Sequence, residues 1–211
     1  MATAVVWAVL GAALLLPGDA LAAPPPDGTR TMADLDGDGT ADPVSLQQVT
    51  PESMLLRAGL ADQFVDVTVP GNARGLAPRA VDVDADGRDE VLVPESVGAN
   101  TITYTLWDHE AGAGLRHATD PTGSPWKVSE GGGVSAISDY GCIADHDDQQ
   151  VVVIDALLDD GSSDPNTYSG TRTALTVENG TATPTSTVPI DRVSREDPLL
   201  HVDPATCAPA G

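Results

Sequence analysis

Two short acidic segments constrain this chain more than any other feature of its sequence. Residues 34–42 read DLDGDGTAD and residues 82–90 read DVDADGRDE, so both follow the pattern D-x-D-x-D-G-x-x-[D/E]. Carboxylates packed this closely repel one another unless a positive charge lies among them. Alternate side chains of a tight loop can point at one cation, and the glycine at position six permits the turn that this requires.

The pattern predicts two calcium sites, because calcium prefers six to eight oxygen ligands. In each site we expect side-chain ligands from positions one, three, five and nine and a backbone carbonyl from position seven. The alternative is a pair of solvated turns that hold no metal, but two segments with the same spacing favour metal. The predicted ligands are Asp34, Asp36, Asp38, Thr40 and Asp42 in the first site and Asp82, Asp84, Asp86, Arg88 and Glu90 in the second.

An EF-hand is the obvious competing interpretation, and the sequence argues against it. That loop needs a bidentate glutamate at position twelve and a helix on each side. Position twelve is Ser45 in the first segment and Val93 in the second, and the residues that follow are rich in strand formers and interrupted by proline. We therefore expect each loop to close a β-hairpin.

The two loops and the strands after them resemble the FG-GAP/VCBS repeat, a calcium-loop β-hairpin module of integrin-α-type propellers and of many secreted bacterial proteins. The resemblance is close over the loops and extends over the rest of 29–187 only by spacing. It implies propeller blades with calcium held between the first two strands of a blade. It does not imply a reaction, since such repeats occur in adhesins, lectins and enzymes.

The spacing of the loops predicts an all-β fold of about three four-stranded antiparallel propeller-like blades, a partial or small β-propeller. The first two loops are 48 residues apart. A proline-rich linker at 23–28 would precede a single domain at 29–211. Its units are expected at 29–76, 77–134 and 135–187, followed by a C-terminal tail. Because closed propellers have four to eight blades, three alternatives stay open: an open arc of three sheets, a tail that serves as a partial fourth element, or closure by self-association.

The third unit carries a degraded loop and one of the two cysteines. When Gln150–Val153 is aligned with Glu90–Val93, Cys142, Ala144 and His146 replace the first three aspartates, so we expect no strong calcium site there. An even, small number of cysteines in an exported chain favours a disulfide. A Cys142–Cys207 bond would fasten the tail to the third unit; the alternative is two buried free thiols.

Residues 1–22 resemble a secretory signal peptide. An apolar run ends at a Pro-Gly break, and Ala20-Leu21-Ala22 forms a small-x-small cleavage site, which places cleavage before Ala23. The run is too short to span a bilayer comfortably. The sequence therefore predicts an extracellular protein that does not insert into a membrane.

The net charge of −22 excludes two classes of partner. Nucleic acid and anionic membrane surfaces would repel such a chain. Nine of the 32 acidic residues lie in the two loops, so bound calcium would offset part of the imbalance. A protein or a glycan is the remaining kind of ligand.

No catalytic constellation is recognisable in the sequence. Asp108-His109-Glu110 is interpreted as a solvated hairpin tip, and Trp107 and Trp126 as core residues with a weaker possibility of sugar stacking. The sequence therefore predicts a non-catalytic binding or interaction module with structural calcium. The alternatives are a lectin-like carbohydrate-binding propeller and, less favoured, a secreted glycan hydrolase or lyase.

Overall fold

The computed structural model describes residues 29–61, 63–145, 148–159 and 166–209. The predicted signal peptide and linker, together with His146 and Asp147, lie outside the described residues. Within the described ranges, no helix has the length and apolar character needed to cross a membrane.

The described residues form thirteen strands in two antiparallel sheets. Four strands form the first sheet, in the order β1-β2-β3-β4: β1 Thr29–Ala33, β2 Asp42–Thr50, β3 Ser53–Leu60 and β4 Gln63–Pro70. Nine strands form the second sheet, in the order β13-β12-β11-β10-β9-β7-β6-β5, with β8 also paired to β7: β5 Arg79–Val81, β6 Glu90–Val97, β7 Thr101–Glu110, β8 Gly114–His117, β9 Lys127–Gly131, β10 Ala136–Asp145, β11 Asp148–Leu158, β12 Thr167–Glu178 and β13 Thr181–Ser194.

Alternation of side chains explains how the sheets pack. In β3, every second residue is buried, as expected for a strand with one face on a core. In β6, Glu90–Pro94 are buried without interruption, because both faces of this strand are covered. Val91 and Val93 pack against the first sheet, whereas Leu92 packs on the opposite side with residues of β7, β10 and β12. The second unit therefore lies in the middle of the molecule.

The all-β prediction is confirmed, but three separate blades are not observed. The first four strands do form a sheet of their own, whereas the strands of the second and third units belong to one continuous sheet. The short strand β9 causes this, because it pairs with β7 over five residues and touches β10 through Gly131 and Ser138. Among the described residues neither sheet closes on itself.

The third unit has two paired strands where the sequence alignment placed a degraded loop. Strands β10 and β11 pair from Ala136–Leu157 to Asp145–Asp148, so the described residues of the segment aligned with the two acidic loops belong to these strands. Hydrogen bonds of a ladder replace the irregular backbone that would wrap an ion. That this unit lacks a strong calcium site stays a prediction.

The C-terminal tail is fastened to β10 at the predicted cysteines. The sulfur atoms of Cys142 and Cys207 are 2.09 Å apart, and the tail contains two short 3₁₀-helices, Pro198–Leu200 and Pro204–Cys207. Gly141 makes the close approach possible, since a Cβ there would lie 2.7 Å from the carbonyl oxygen of Asp203. The tail up to residue 209 thus packs against β10 as part of the fold.

Candidate metal centres

Both acidic loops occupy the same place in their units. The first joins β1 to β2 and the second joins β5 to β6, with Ala33 opposite Asp42 and Val81 opposite Glu90. The glycines at position six have φ values of +82° and +87°, as the turn requires. Position four is also left-handed, with φ of +75° at Gly37 and +58° at Ala85. The pattern did not anticipate this second left-handed residue, because it leaves position four open.

A shared hydrogen-bond pattern shapes the two loops. The carboxylate at position nine accepts a hydrogen bond from the backbone N–H of position two. Asp42 Oδ2 accepts from Leu35 at 3.2 Å, and Glu90 Oε2 accepts from Val83 at 3.0 Å. The first aspartate accepts from position four, Asp34 at 2.9 Å and Asp82 at 2.7 Å. These bonds turn the carboxylates of positions one and nine inward from opposite ends of each loop.

Each loop brings three carboxylates together. One oxygen atom from each member of a group lies within 4.8 Å of the others. Such a spacing lets one cation contact all three oxygens, and the donors are those that hard divalent cations prefer. The groups are Asp34, Asp36 and Asp42 in the first loop and Asp82, Asp84 and Glu90 in the second.

The remaining predicted ligands lie outside these groups. The carboxylate at position five accepts instead from the N–H of position seven: Asp38 from Thr40 at 2.7 Å and Asp86 from Arg88 at 2.8 Å. Asp86 also pairs with the Arg88 guanidinium at 2.6 Å. Ligation by these two aspartates and by the carbonyls of Thr40 and Arg88 stays a prediction.

Burial makes the second loop electrostatically costly. Glu90 is 3% exposed and Asp42 is 6% exposed. The pKa of Glu90 is raised to about 9, mainly by desolvation and also by the neighbouring carboxylates of Asp84, Asp108 and Asp82, while the Val83 hydrogen bond acts in the opposite direction. Desolvation is likewise the largest cause that raises the pKa values of Asp42, Asp82 and Asp84. A bound cation would favour the charged forms of all these groups.

The two loops contact each other directly. Asp34 N donates to Asp89 Oδ2 at 2.7 Å, and Asp89 N donates to the carbonyl oxygen of Asp34 at 2.8 Å. Gly37 faces Arg88, whose Cγ would lie 2.8 Å from an added Cβ. Residues at positions seven and eight of the second loop thus hold the start of the first loop.

Replacement of Asp89 tests this contact. We expect Asp89→Ala to weaken cation binding at the first loop about tenfold while two ions still bind, because Asp89 orients Asp34 without belonging to either cluster. Calcium titration of the variant and the wild type gives the measurement, with Asp191→Ala on the exposed face of β13 as the matched control. Unchanged affinity at both loops would contradict the positioning role.

Asp108 is an acidic neighbour of the second loop that the sequence interpretation missed. Asp108 and His109 lie in β7 rather than at a solvated tip, and only Glu110 of the three is exposed. Asp108 lines a cavity of about 270 Å³ with Asp84, Asp86 and Glu90. Its Oδ1 is buried, with no hydrogen-bond partner among the described residues. The position of Asp108 beside the second loop depends on strand pairing and could be seen only in the tertiary structure. Trp107, which precedes Asp108, pairs with Val91, and Val91 follows Glu90.

The two tryptophans considered for sugar stacking are buried. Trp107 is 5% exposed and packs in the core between the two sheets, where its Nε1 donates to Thr105 Oγ1 at 2.9 Å. Trp126 is 9% exposed and belongs to the core on the opposite side of β6 and β7. Both rings therefore serve packing in this structure.

The fold and its two acidic loops define an all-β protein with two candidate sites for a metal ion. Comparison with models of protein families, with curated proteins and with solved structures found no match for this chain. The geometry of the loops is therefore the basis for an assignment of function.

Proposed function

We propose that this protein is an extracellular calcium-binding β-repeat protein in which two calcium ions brace the hairpins β1–β2 and β5–β6. The observation that carries the proposal is the recurrence of one loop geometry with three converging carboxylates in each copy. In this proposal the protein functions as a non-catalytic binding module whose ligand is a protein or a glycan.

The donor chemistry favours calcium over softer metals. The clusters found among the described residues contain only carboxylates, whereas zinc and copper sites use cysteine or histidine. Backbone carbonyls and water can complete the six to eight oxygen ligands that calcium takes. Because the loops are acidic and partly buried, the ion contributes to folding by removing repulsion between the carboxylates.

Contacts between neighbouring units support the proposal that the chain is built from repeats related to FG-GAP/VCBS repeats. Position eight of the second loop, Asp89, bonds the backbone of Asp34, which opens the first loop. In the third unit Gln149, aligned with Asp89, donates from Nε2 to the carbonyl oxygen of Asp82, which opens the second loop. Aligned residues of successive units would thus contact the first residue of the preceding loop, although the hydrogen bonds differ and the third unit has lost its own loop.

Export accounts for the disulfide. A cysteine pair at disulfide distance suits an oxidising compartment, where calcium is also plentiful enough to occupy sites of modest affinity. The predicted signal peptide at 1–22 supports the same location.

Calcium titration calorimetry with loop variants tests the proposal. We expect two ions per chain in the wild type and one in Asp36→Ala or in Asp84→Ala, because each variant removes one of three converging carboxylates. Asp191→Ala, an exposed aspartate on β13, should leave the count at two. Absence of calcium binding by the wild type would contradict the proposed function, and loss of both ions in either single variant would contradict two separate sites.

A further inference from the structure

The second loop is held at its first residue by the third unit and the C-terminal tail. The backbone N–H of Asp82 donates to the carbonyl oxygen of Cys207 at 2.9 Å. The carbonyl oxygen of Asp82 accepts from Gln149 Nε2. Both main-chain groups of this predicted ligand are therefore fixed by residues more than sixty positions away in sequence.

The disulfide holds that part of the tail in place. Cys142 and Cys207 are 5% and 0% exposed and lie in one core cluster with Val81 and Val83, which flank Asp82. The backbone N–H of Cys142 also donates to Thr206 Oγ1 at 2.8 Å. An opening of the tail would release the Cys207 carbonyl from Asp82 and uncover the sulfur atoms at the same time.

Within the described ranges, no hydrogen bond joins Asp34 of the first loop to the tail. The main-chain groups of Asp34 are held by Asp89 of the neighbouring loop. The two loops thus have similar internal geometry but different supports. This difference provides an internal control within one molecule.

We propose that the C-terminal tail is a positioning element for the second metal site, so that cation binding at Asp82, Asp84 and Glu90 and closure of the Cys142–Cys207 disulfide stabilise each other. This inference rests on the proposed function, because it assigns a cation to the second loop. By linkage, a cation that binds the tail-closed loop more tightly must lower the population in which the tail is open.

Reduction of the disulfide reports on that open population. A dithiol reductant such as dithiothreitol attacks one sulfur as a thiolate, the S–S bond breaks, two protein thiols form and the reductant becomes a cyclic disulfide. Because both sulfurs are buried, the attack requires local opening. The rate of reduction therefore measures how often the tail leaves the second loop.

The experiment compares reduction of the full chain by dithiothreitol in calcium and in chelator, with free thiols counted over time. We expect calcium to slow reduction about tenfold in the wild type, in line with usual coupling between sites. Asp36→Ala should retain this protection, whereas Asp84→Ala should lose most of it. Equal loss of protection in both variants would show that reduction follows global unfolding, and would overturn the inference.

A second variant approaches the coupling from the other side. Gly141→Ala keeps both cysteines but displaces Val202 and Asp203, which lie against that glycine. In the Asp36→Ala background, where one site remains, we expect it to weaken calcium binding about tenfold. In the Asp84→Ala background it should leave the first site unchanged. If calcium binds at both loops but neither slows reduction nor loses affinity in the Gly141→Ala variant, this inference alone is overturned. If calcium binds at neither loop, the proposed function is overturned as well.

Discussion

In the absence of divalent metal, the free energy of unfolding should fall as the pH rises from about 5 to about 9. The pKa of Glu90 is raised from 4.5 in its ordinary state to about 9 in the folded chain, mainly because it is buried. Between these values the folded protein keeps a proton that the unfolded chain releases, so a rise in pH favours unfolding. The raised pKa values of Asp42, Asp82 and Asp84 act in the same direction.

The shift at Glu90 corresponds to a loss on the order of 5 kcal/mol across this range. Saturating calcium should remove most of the decline, because the cation favours the charged carboxylates and its affinity therefore rises with pH. Urea denaturation at several pH values, with and without calcium, measures both effects.

Glu90→Gln is the matched control for this pH dependence. The amide is neutral at every pH and its oxygen can still accept from Val83 N. We expect the variant to be more stable than the wild type at pH 9 without metal, and to bind one calcium ion fewer. Asp42→Asn tests the first loop in the same way. A metal-free wild type whose stability rose between pH 5 and 9 would contradict the burial of an uncompensated carboxyl group.

Loss of the disulfide should have an effect of similar size. The Cys142–Cys207 bond closes a loop with a sequence separation of 65 residues. In the chain-entropy model such a bond stabilises the folded protein by about 4 kcal/mol. We expect Cys142→Ala/Cys207→Ala to lower the melting temperature by about 10 °C. Thermal and urea denaturation of the oxidised wild type and the variant provide the comparison.

Single variants separate the bond from the packing of the sulfur atoms. Cys207→Ala alone removes the bond but leaves Cys142 in its buried position, so its loss of stability should come close to that of the double variant. The free energy of unfolding of the wild type, measured in the presence of a dithiol, should equal that of the double variant. A decrease of less than about 1 kcal/mol in the double variant would show that the tail holds its place without the covalent bond.

The acidic loops were readable in sequence because their information is local. Spacing alone fixed the left-handed glycine at position six and the hairpin that each loop closes, as seen at Gly39 and Gly87. The convergence of the carboxylates at positions one, three and nine is also a local property, because all three lie within one segment of nine residues. The role of the carboxylate at position five did not follow from the spacing, because Asp86 pairs with Arg88, a competing partner two residues away.

Long-range pairing accounts for what the sequence analysis missed. Nothing local distinguishes β9, a five-residue strand, as the element that merges two units into one sheet. The burial of Asp108 beside the second loop depends on the β6–β7 register, and the contact of Asp89 with Asp34 depends on how two hairpins pack. Each of these features joins residues through the tertiary fold rather than through their spacing.

The sequence by itself determined the all-β class, the two acidic loops and the cysteine pair, because strand alternation, turn chemistry and cysteine number are properties of short segments or of the whole composition. Only the tertiary structure decided how the sheets join and which support each loop receives, Asp89 for the first and the C-terminal tail for the second. Loops with the same sequence pattern thus acquire different environments, since burial and hydrogen bonding at each loop are supplied by distant parts of the chain.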